Sequence, residues 1–373
     1  MGWGVVDKEA ELKRLMLRGL DGDPVAWRAL LSEMRGALTP FFKRRLTGCE
    51  ADAEDLVQDC LIAIHAKRAT YDRSLPFTAW AYAIARYKVI DHFRRLGRRA
   101  DVPLEEASVL LAEHTVEDGV VRRDLKKVLS ILPPRQRRLI EDVRIGGFSL
   151  AEAAKRNGFT EGAAKTDDLI DALAAGLEPA KPAMPSPVLL AAAAVAAVAA
   201  VGLFLGFRPD LGQALQGPIP WLKGIYTAAL AGTGIWLAIR LGRPGVDPRP
   251  AVFALLAVVA AAGLWGLIEM SLTSPEQRMD DWLGGTWTIC GRNIVLVSAF
   301  AAPFVFLSAR KLAPTRPATA GLALGLATGG LAATAYGLLH CGEATAAFVA
   351  TWYTLGIAAA GLIGAAVGRF ALR

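Results

Sequence analysis

The feature that most constrains this chain is a succession of six apolar stretches in its second half, at 188–207, 225–239, 251–268, 294–309, 318–339 and 344–368. None holds an Asp, Glu, Lys or Arg. A bilayer-spanning helix needs about 20 apolar residues, and the two shorter stretches can extend into amphipathic flanks. Six uncharged helices in a row leave a soluble bundle without a polar face, so they read as a six-helix transmembrane bundle. Trp221, Trp265, Trp282, Trp287 and Trp352 fall at or near stretch ends, where an aromatic belt sits.

Charge sets the expected orientation. Connections 240–250 and 310–317 carry Arg240, Arg243, Arg249, Arg310, Lys311 and Arg316, and the tail carries Arg369 and Arg373. The alternate connections are poorer in cations, so the positive-inside rule places both termini in the cytoplasm of an inner-membrane protein. The half from residue 187 onward has twelve Lys or Arg against seven acids, so five of the chain's net +7 charges lie there and only two in the first 186 residues. The high isoelectric point is therefore no nucleic-acid signal by itself, and local clusters must carry that argument. The first twenty residues are charged and lack a long apolar core, so no signal peptide is expected at 1–20 and the front half starts in the cytoplasm. Four cysteines are too few for a disulfide scaffold, and the spacing of Cys49 and Cys60 matches no zinc pattern.

Ahead of the apolar half the periodicity is helical and strand signals are almost absent, so the whole chain is expected to be all-α. The expected units are a helical domain at 1–100, an acidic linker at 101–119, a small helical unit at 120–164, a segment at 165–186 and the transmembrane domain at 187–373. Pro179, Pro182, Pro185 and Pro187 stiffen the last boundary. Two clusters stand out in the first domain. Asp52, Asp55 and Asp59 share one helical face, with Leu56 pointing to the core. Further on, Arg86, Lys88, Arg94, Arg95, Arg98 and Arg99 form a basic helix interleaved with Phe77, Trp80, Tyr82, Tyr87 and Phe93. Such cations bind phosphate and such rings stack on unpaired bases, although Trp80, Ile84 and Tyr87 also have the spacing of core residues.

In order, the motifs DAEDLVQDCLIAIH, YDRSLPF and TAWAYAIARYKVIDHFRR resemble conserved region 2 of the extracytoplasmic-function sigma factors, over about residues 27–99. The resemblance implies that Asp52, Glu54, Asp55, Gln58 and Asp59 contact the clamp helices of the RNA polymerase β′ subunit. It also implies that Tyr71, Asp72, Arg73, Ser74 and Phe77 in the loop open and read the promoter −10 element. Trp80, Arg86, Tyr87, Lys88, Asp91, His92, Arg94 and Arg95 on the following helix would share that task. A flipped base needs a pocket with polar edges, which 72–74 can offer.

ILPPRQRR followed by GFSLAEAAKRNGFTEG resembles region 4, a helix-turn-helix for the −35 element. Arg135, Arg137, Ser149, Lys155, Thr160 and Lys165 would face that DNA. Here the chain departs from the family, because Asp167, Asp168 and Asp171 follow where phosphate would repel them, and region 4 reads as incomplete. From Lys165 the sequence TDDLIDAL, the prolines and the six stretches resemble NrsF-type anti-sigma proteins. That likeness implies that Thr166, Asp167, Asp168, Leu169, Ile170 and Leu173 restrain a sigma factor, and the apolar face 169, 170, 173 and 177 could enter a partner groove. Cys290 and Cys341, both near stretch ends on the outer side, form a candidate redox pair beside Glu269, Arg292, His340 and Glu343.

The expected function is control of transcription initiation by a membrane-tethered sigma/anti-sigma fusion, with core RNA polymerase, promoter DNA, the lipid bilayer and a sigma domain (its own or a free one) as partners. No cofactor, metal or catalytic group is expected, since the four histidines are scattered and no nucleophile pairs with a base. Two alternatives stay open: an inactive fusion of overlapping neighbouring genes, and a membrane sensor or transporter. The spans' lack of central charge counts against transport.

Overall fold

The computed structural model describes residues 3–46, 52–99 and 166–372, and among these every regular element is helical. The expected linker and the 120–164 unit, with Arg135, Arg137, Ser149, Lys155 and Thr160, lie outside the described residues, as does Lys165. The chain divides into two compact units, Met1–Ala183 with Pro244–Val246, and Met184–Arg243 with Asp247–Arg373.

The first unit contains α1 (Trp3–Leu20), α2 (Pro24–Lys43), α3 (Ala53–Lys67), α4 (Phe77–Arg99) and α5 (Thr166–Ala174), with a 3-10 turn at Arg68–Thr70. The corner between α1 and α2 follows from four residues, Asp21-Gly22-Asp23-Pro24. Gly22 takes a φ of +96°, which a side chain would resist. Asp23 caps α2 by accepting from the amides of Val25 (2.9 Å) and Ala26 (3.0 Å), and Pro24 fills the first helical position, where no amide is needed. Those amide bonds, reinforced by Arg18, hold the Asp23 carboxyl below the usual carboxylate range.

The core is a helical stripe read at three and four spacing. Trp27, Leu30, Leu31, Met34, Leu38 and Phe42 of α2 meet Val57, Cys60, Leu61 and Ile64 of α3. From α4 come Phe77, Trp80, Ala81 and Ile84. The entry of α4 is fixed from outside its own sequence. The carboxylate of Glu9 on α1 accepts from the amides of Phe77 (2.5 Å) and Thr78 (3.2 Å), two of the donors a helix start leaves without intrahelical partners.

The second unit holds six helices long and apolar enough to cross a membrane: Pro187–Leu205, Pro218–Leu241, Arg249–Leu272, Arg278–Ser308, Pro317–Leu339 and Ala346–Ala371. Each expected stretch is helical over most of its length, although the first helix stops at Leu205 and the sixth begins at Ala346, and several helices run past the apolar limits to take in Lys223, Arg240, Glu269 and Arg292. The fifth is 67% buried and the third 11%, so the fifth is the centre of the bundle and the third lies at its rim. Glycine explains the difference. A Cβ at Gly321 or Gly325 would overlap the backbone of the sixth helix at Gly364 and Ala360, and one at Gly330 would come 2.6 Å from the Ala231 amide of the second. Small residues let helix backbones touch where no water drives them together.

Candidate functional site

Four helices of the first unit build the site. The start of α3 presents Asp52, Glu54, Asp55, Gln58 and Asp59, of which Glu54 and Asp55 are exposed and the others half-buried. Helix α4 reaches this edge from one side. Lys88, 2% exposed, stands 4.0 Å from Asp59, and His92 Nε2 stands 3.3 Å from Asp52. The acidic edge and the basic helix that follows it in the chain thus meet through these two contacts.

Helix α5 covers the other side of the edge. Its Ile170 and Leu173 enter the same core as Trp27 and Leu61, while Leu169 and Leu177 pack against that core partly buried. Burying an aliphatic side chain of this size contributes about 1.5–3 kcal/mol. Polar contacts frame the apolar ones. The Thr166 hydroxyl donates to the Glu54 carboxylate and accepts from the Gln58 amide at 3.0 Å. Arg28 forms a two-pronged pair with Asp171 (2.6 and 3.0 Å), and Arg35 pairs with Asp167 (2.7 Å) and with Glu54 (3.7 Å). Because 28 meets 171 and 35 meets 167, α2 and α5 run antiparallel. These pairs are largely exposed, so each contributes only about 0.2–1 kcal/mol and chiefly fixes register.

The loop and helix expected to read DNA divide by accessibility. Arg73, Ser74 and Arg86 are exposed, and Asp72, Tyr87 and His92 are half-buried. Tyr71, Phe77, Trp80, Lys88 and Asp91 are buried. The reason is an aromatic cluster, with centroids of Tyr71, Phe77 and Trp80 5.7–6.1 Å apart. Trp80 Nε1 donates to Thr70 Oγ1 (3.2 Å), and the Tyr71 hydroxyl, which burial pushes up to about 12, donates to the Leu75 carbonyl (2.7 Å). In this arrangement the three buried rings shape the loop rather than face solvent, while Lys88 is buried against the acidic edge at Asp59. Arg94 and Arg95 lie on α4 beyond the last described side chain.

In the second unit Cys290 and Cys341 come together, with Sγ atoms 3.8 Å apart and both side chains buried. Cys290 Sγ also lies 3.4 Å from the Tyr336 hydroxyl. The neighbouring charges hold the loop that carries Cys341. Lys223 Nζ donates to the carbonyls of Cys341 (3.0 Å) and Glu343 (2.6 Å). The Glu343 carboxylate accepts from the Gly285 amide and Thr286 Oγ1, and Glu269 accepts from the Ala347 amide. His340 Nδ1 lies 2.8 Å from the Gly206 carbonyl, while Arg292 is exposed. Of the residues expected at this face, Glu269, His340 and Glu343 therefore each meet a different piece of backbone.

Sequence reasoning missed Arg28, Arg35, Glu9 and Lys223. The first two carried a readable signal, since Arg28 and Arg35 lie two helical turns apart and Asp167 and Asp171 one turn apart.

A helical domain with an acidic edge and a basic helix, followed by six apolar helices, fits the class expected from the sequence, a transcription regulator with a multi-helix apolar partner half. Comparison with known proteins makes this specific. Residues 41–99 match the family model Sigma-70 region 2, and residues 173–373 match the model of NrsF, described as negative regulator of sigma F. An ECF RNA polymerase sigma factor SigF of Caulobacter vibrioides is 50% identical over 161 residues, 43% of this chain and 89% of that protein. The anti-sigma-F factor NrsF of the same organism is 43% identical over 215 residues, 56% of this chain and 99% of its own length. A probable anti-sigma-F factor NrsF of Azospira oryzae is 35% identical over 216 residues, again 56% and 99%. No solved structure matches. The chain belongs to the NrsF family and carries in front of that domain the region 2 of an extracytoplasmic-function sigma factor, a sigma/anti-sigma fusion that controls transcription. Both families are regulatory.

Proposed function

We propose that this protein is a membrane-tethered sigma factor held off by its own anti-sigma segment. The observation that carries the reading is the docking of α5 on α2 and α3, where Thr166 engages both Glu54 and Gln58, two of the side chains the family likeness assigns to polymerase. A clamp helix of polymerase and α5 then compete for one edge, and whatever shifts α5 off shifts the population toward the polymerase-bound form. Arg73, Ser74 and Arg86, exposed on the loop and on α4, are the first contacts for promoter DNA, with Asp72, Tyr87, His92, Arg94 and Arg95 extending them. No substrate is turned over. The six helices hold the chain in the inner membrane with both termini on the cytoplasmic side, supported by the cation-rich connections at 240–250 and 310–317.

Thr166 provides the direct test. Thr166→Asp sets a carboxylate against Glu54 in a site 1% exposed, which disfavours docking by roughly tenfold or more. Full-length chain in lipid nanodiscs, mixed with core polymerase and promoter fragments, is expected to retain polymerase as the Asp variant and to retain little as wild type. Absence of polymerase from the variant, with α5 shown to be undocked, removes the reading.

The cysteines supply the signal input. Two thiols whose sulfur atoms stand 3.8 Å apart close to a disulfide by giving two protons and two electrons to an oxidant such as peroxide. Within the pair, the Cys290 hydrogen bond holds the Cys341 thiol below its ordinary range, favouring the thiolate that such chemistry uses. Peroxide treatment of the membrane-embedded chain is expected to remove labelling of both thiols by maleimide after solubilisation, and dithiothreitol to restore it. Labelling that peroxide leaves intact, or that dithiothreitol fails to restore, excludes the pair.

A further inference from the structure

We infer that residues 177–183 form a second restraint on the sigma domain, separable from α5, which straps down the turn from which the 71–77 loop departs. The inference rests on the promoter role proposed above for that loop.

The strap begins where α5 stops. Gly176 takes a φ of +72°, the left-handed turn that lets a helix end and the chain leave in a new direction. The chain then runs without regular structure through Pro179 and Pro182, which stiffen it. It touches different partners from those of α5. The Ala180 amide donates to the Leu20 carbonyl at 2.8 Å, taking up an acceptor at the end of α1. The Ala183 amide donates to the Ala69 carbonyl at 2.8 Å, inside the Arg68–Thr70 turn, and the Ala183 side chain is buried there. Pro179 lies over Gly22, where a Cβ would come within 3.1 Å of its ring. Glu178 stands near enough to Arg68 to oppose the downward pull of burial on that guanidinium.

The turn so held is the root of the loop. Tyr71 follows it directly, with its amide bonded to Arg68, and Arg73 is pinned to Asp21 of the α1–α2 corner at 3.0 Å. The strap therefore joins the corner at 20–22 to the turn at 68–70, and both flank the loop. α5 occupies α2 and the acidic edge instead. One segment thus makes two contacts on two surfaces, the first on the polymerase edge and the second on the base of the −10 loop.

Hydrogen exchange of the full-length chain in nanodiscs tests this. Ala180→Pro with Ala183→Pro removes both amide donors from a stretch already rich in proline, and inserting two glycines between Leu177 and Glu178 shifts the strap's register without changing a side chain. In both variants, exchange across 68–77 is expected to rise by roughly tenfold, the loss of two hydrogen bonds. Exchange in 166–174 is expected to stay at the wild-type level, and polymerase to stay excluded. Unchanged exchange across 68–77 overturns the inference, as does release of α5 together with the strap or loss of protection throughout the unit in both variants. The exchange result stands whether or not polymerase binds, so it fails or holds apart from the functional reading.

Discussion

Replacing Ile170 and Leu173 by Asp is expected to turn the restrained chain into one that captures core polymerase. These side chains are 1% and 4% exposed and share the core of α2 and α3. Each contributes about 1.5–3 kcal/mol by burial, and an unpaired carboxylate in the same place adds a further penalty. Together they disfavour docking by about 4 kcal/mol or more, roughly a thousandfold in the docking equilibrium. Polymerase retention by nanodisc-embedded chain, and transcription from a promoter template, should rise accordingly. Asp168→Lys is the matched control, since Asp168 is exposed on the outer side of α5. If the double variant frees α5 by hydrogen exchange and polymerase retention does not rise, competition for this edge is not how the two halves communicate.

A second large effect is acid lability of the sigma domain through His65. Burial, and secondarily Arg68, pushes its imidazole from the ordinary 6.5 down to about 3, and Nδ1 accepts from Trp27 Nε1 at 3.1 Å. The neutral ring is the native form. Its folded pKa is depressed, so the unfolded chain binds the extra proton between about pH 6.5 and pH 3. The stability it contributes is complete above 6.5 and drains away as pH falls through that window. The slope is one proton, about 1.4 kcal/mol per pH unit, or roughly 2 kcal/mol between pH 6.5 and 5. His65→Asn keeps an acceptor for Trp27 and should flatten the slope. The check is native-state hydrogen exchange in α2 and α3, corrected for intrinsic rates, in which equal slopes for wild type and variant discard the assignment.

The sequence made legible whatever periodicity and local chemistry determine. Six uncharged stretches became six helices, and the apolar face 169, 170, 173 and 177 became the face that packs. The approach of Cys290 to Cys341 was open to proposal because both sit at the ends of apolar stretches. Less legible was the accessibility of the DNA-reading candidates. Lys88 and Asp91 look like surface charges in a basic helix, yet both are buried, with Lys88 facing Asp59 across a tertiary contact. Nothing local to residues 77–99 encodes that, because the partner charges come from α3. Likewise Arg28 and Arg35 acquire a role only when α5, more than a hundred residues later, lies antiparallel to α2. Thr166 reads as an ordinary helix start until the acidic edge is placed beneath it.

The covalent route from α4 to α5 through residues 100–165 carries a consequence for gene dosage. A separate inhibitor must match its target in copy number, and the fraction left free varies with the ratio of the two. On the restraint proposed above, inhibitor and target are made one to one, and their covalent connection makes docking an intramolecular event however few molecules the cell holds. The active fraction then depends on the docking equilibrium of each molecule alone. Raising expression multiplies the output of the system without altering its threshold, so sensitivity to the signal and strength of the response become independent quantities.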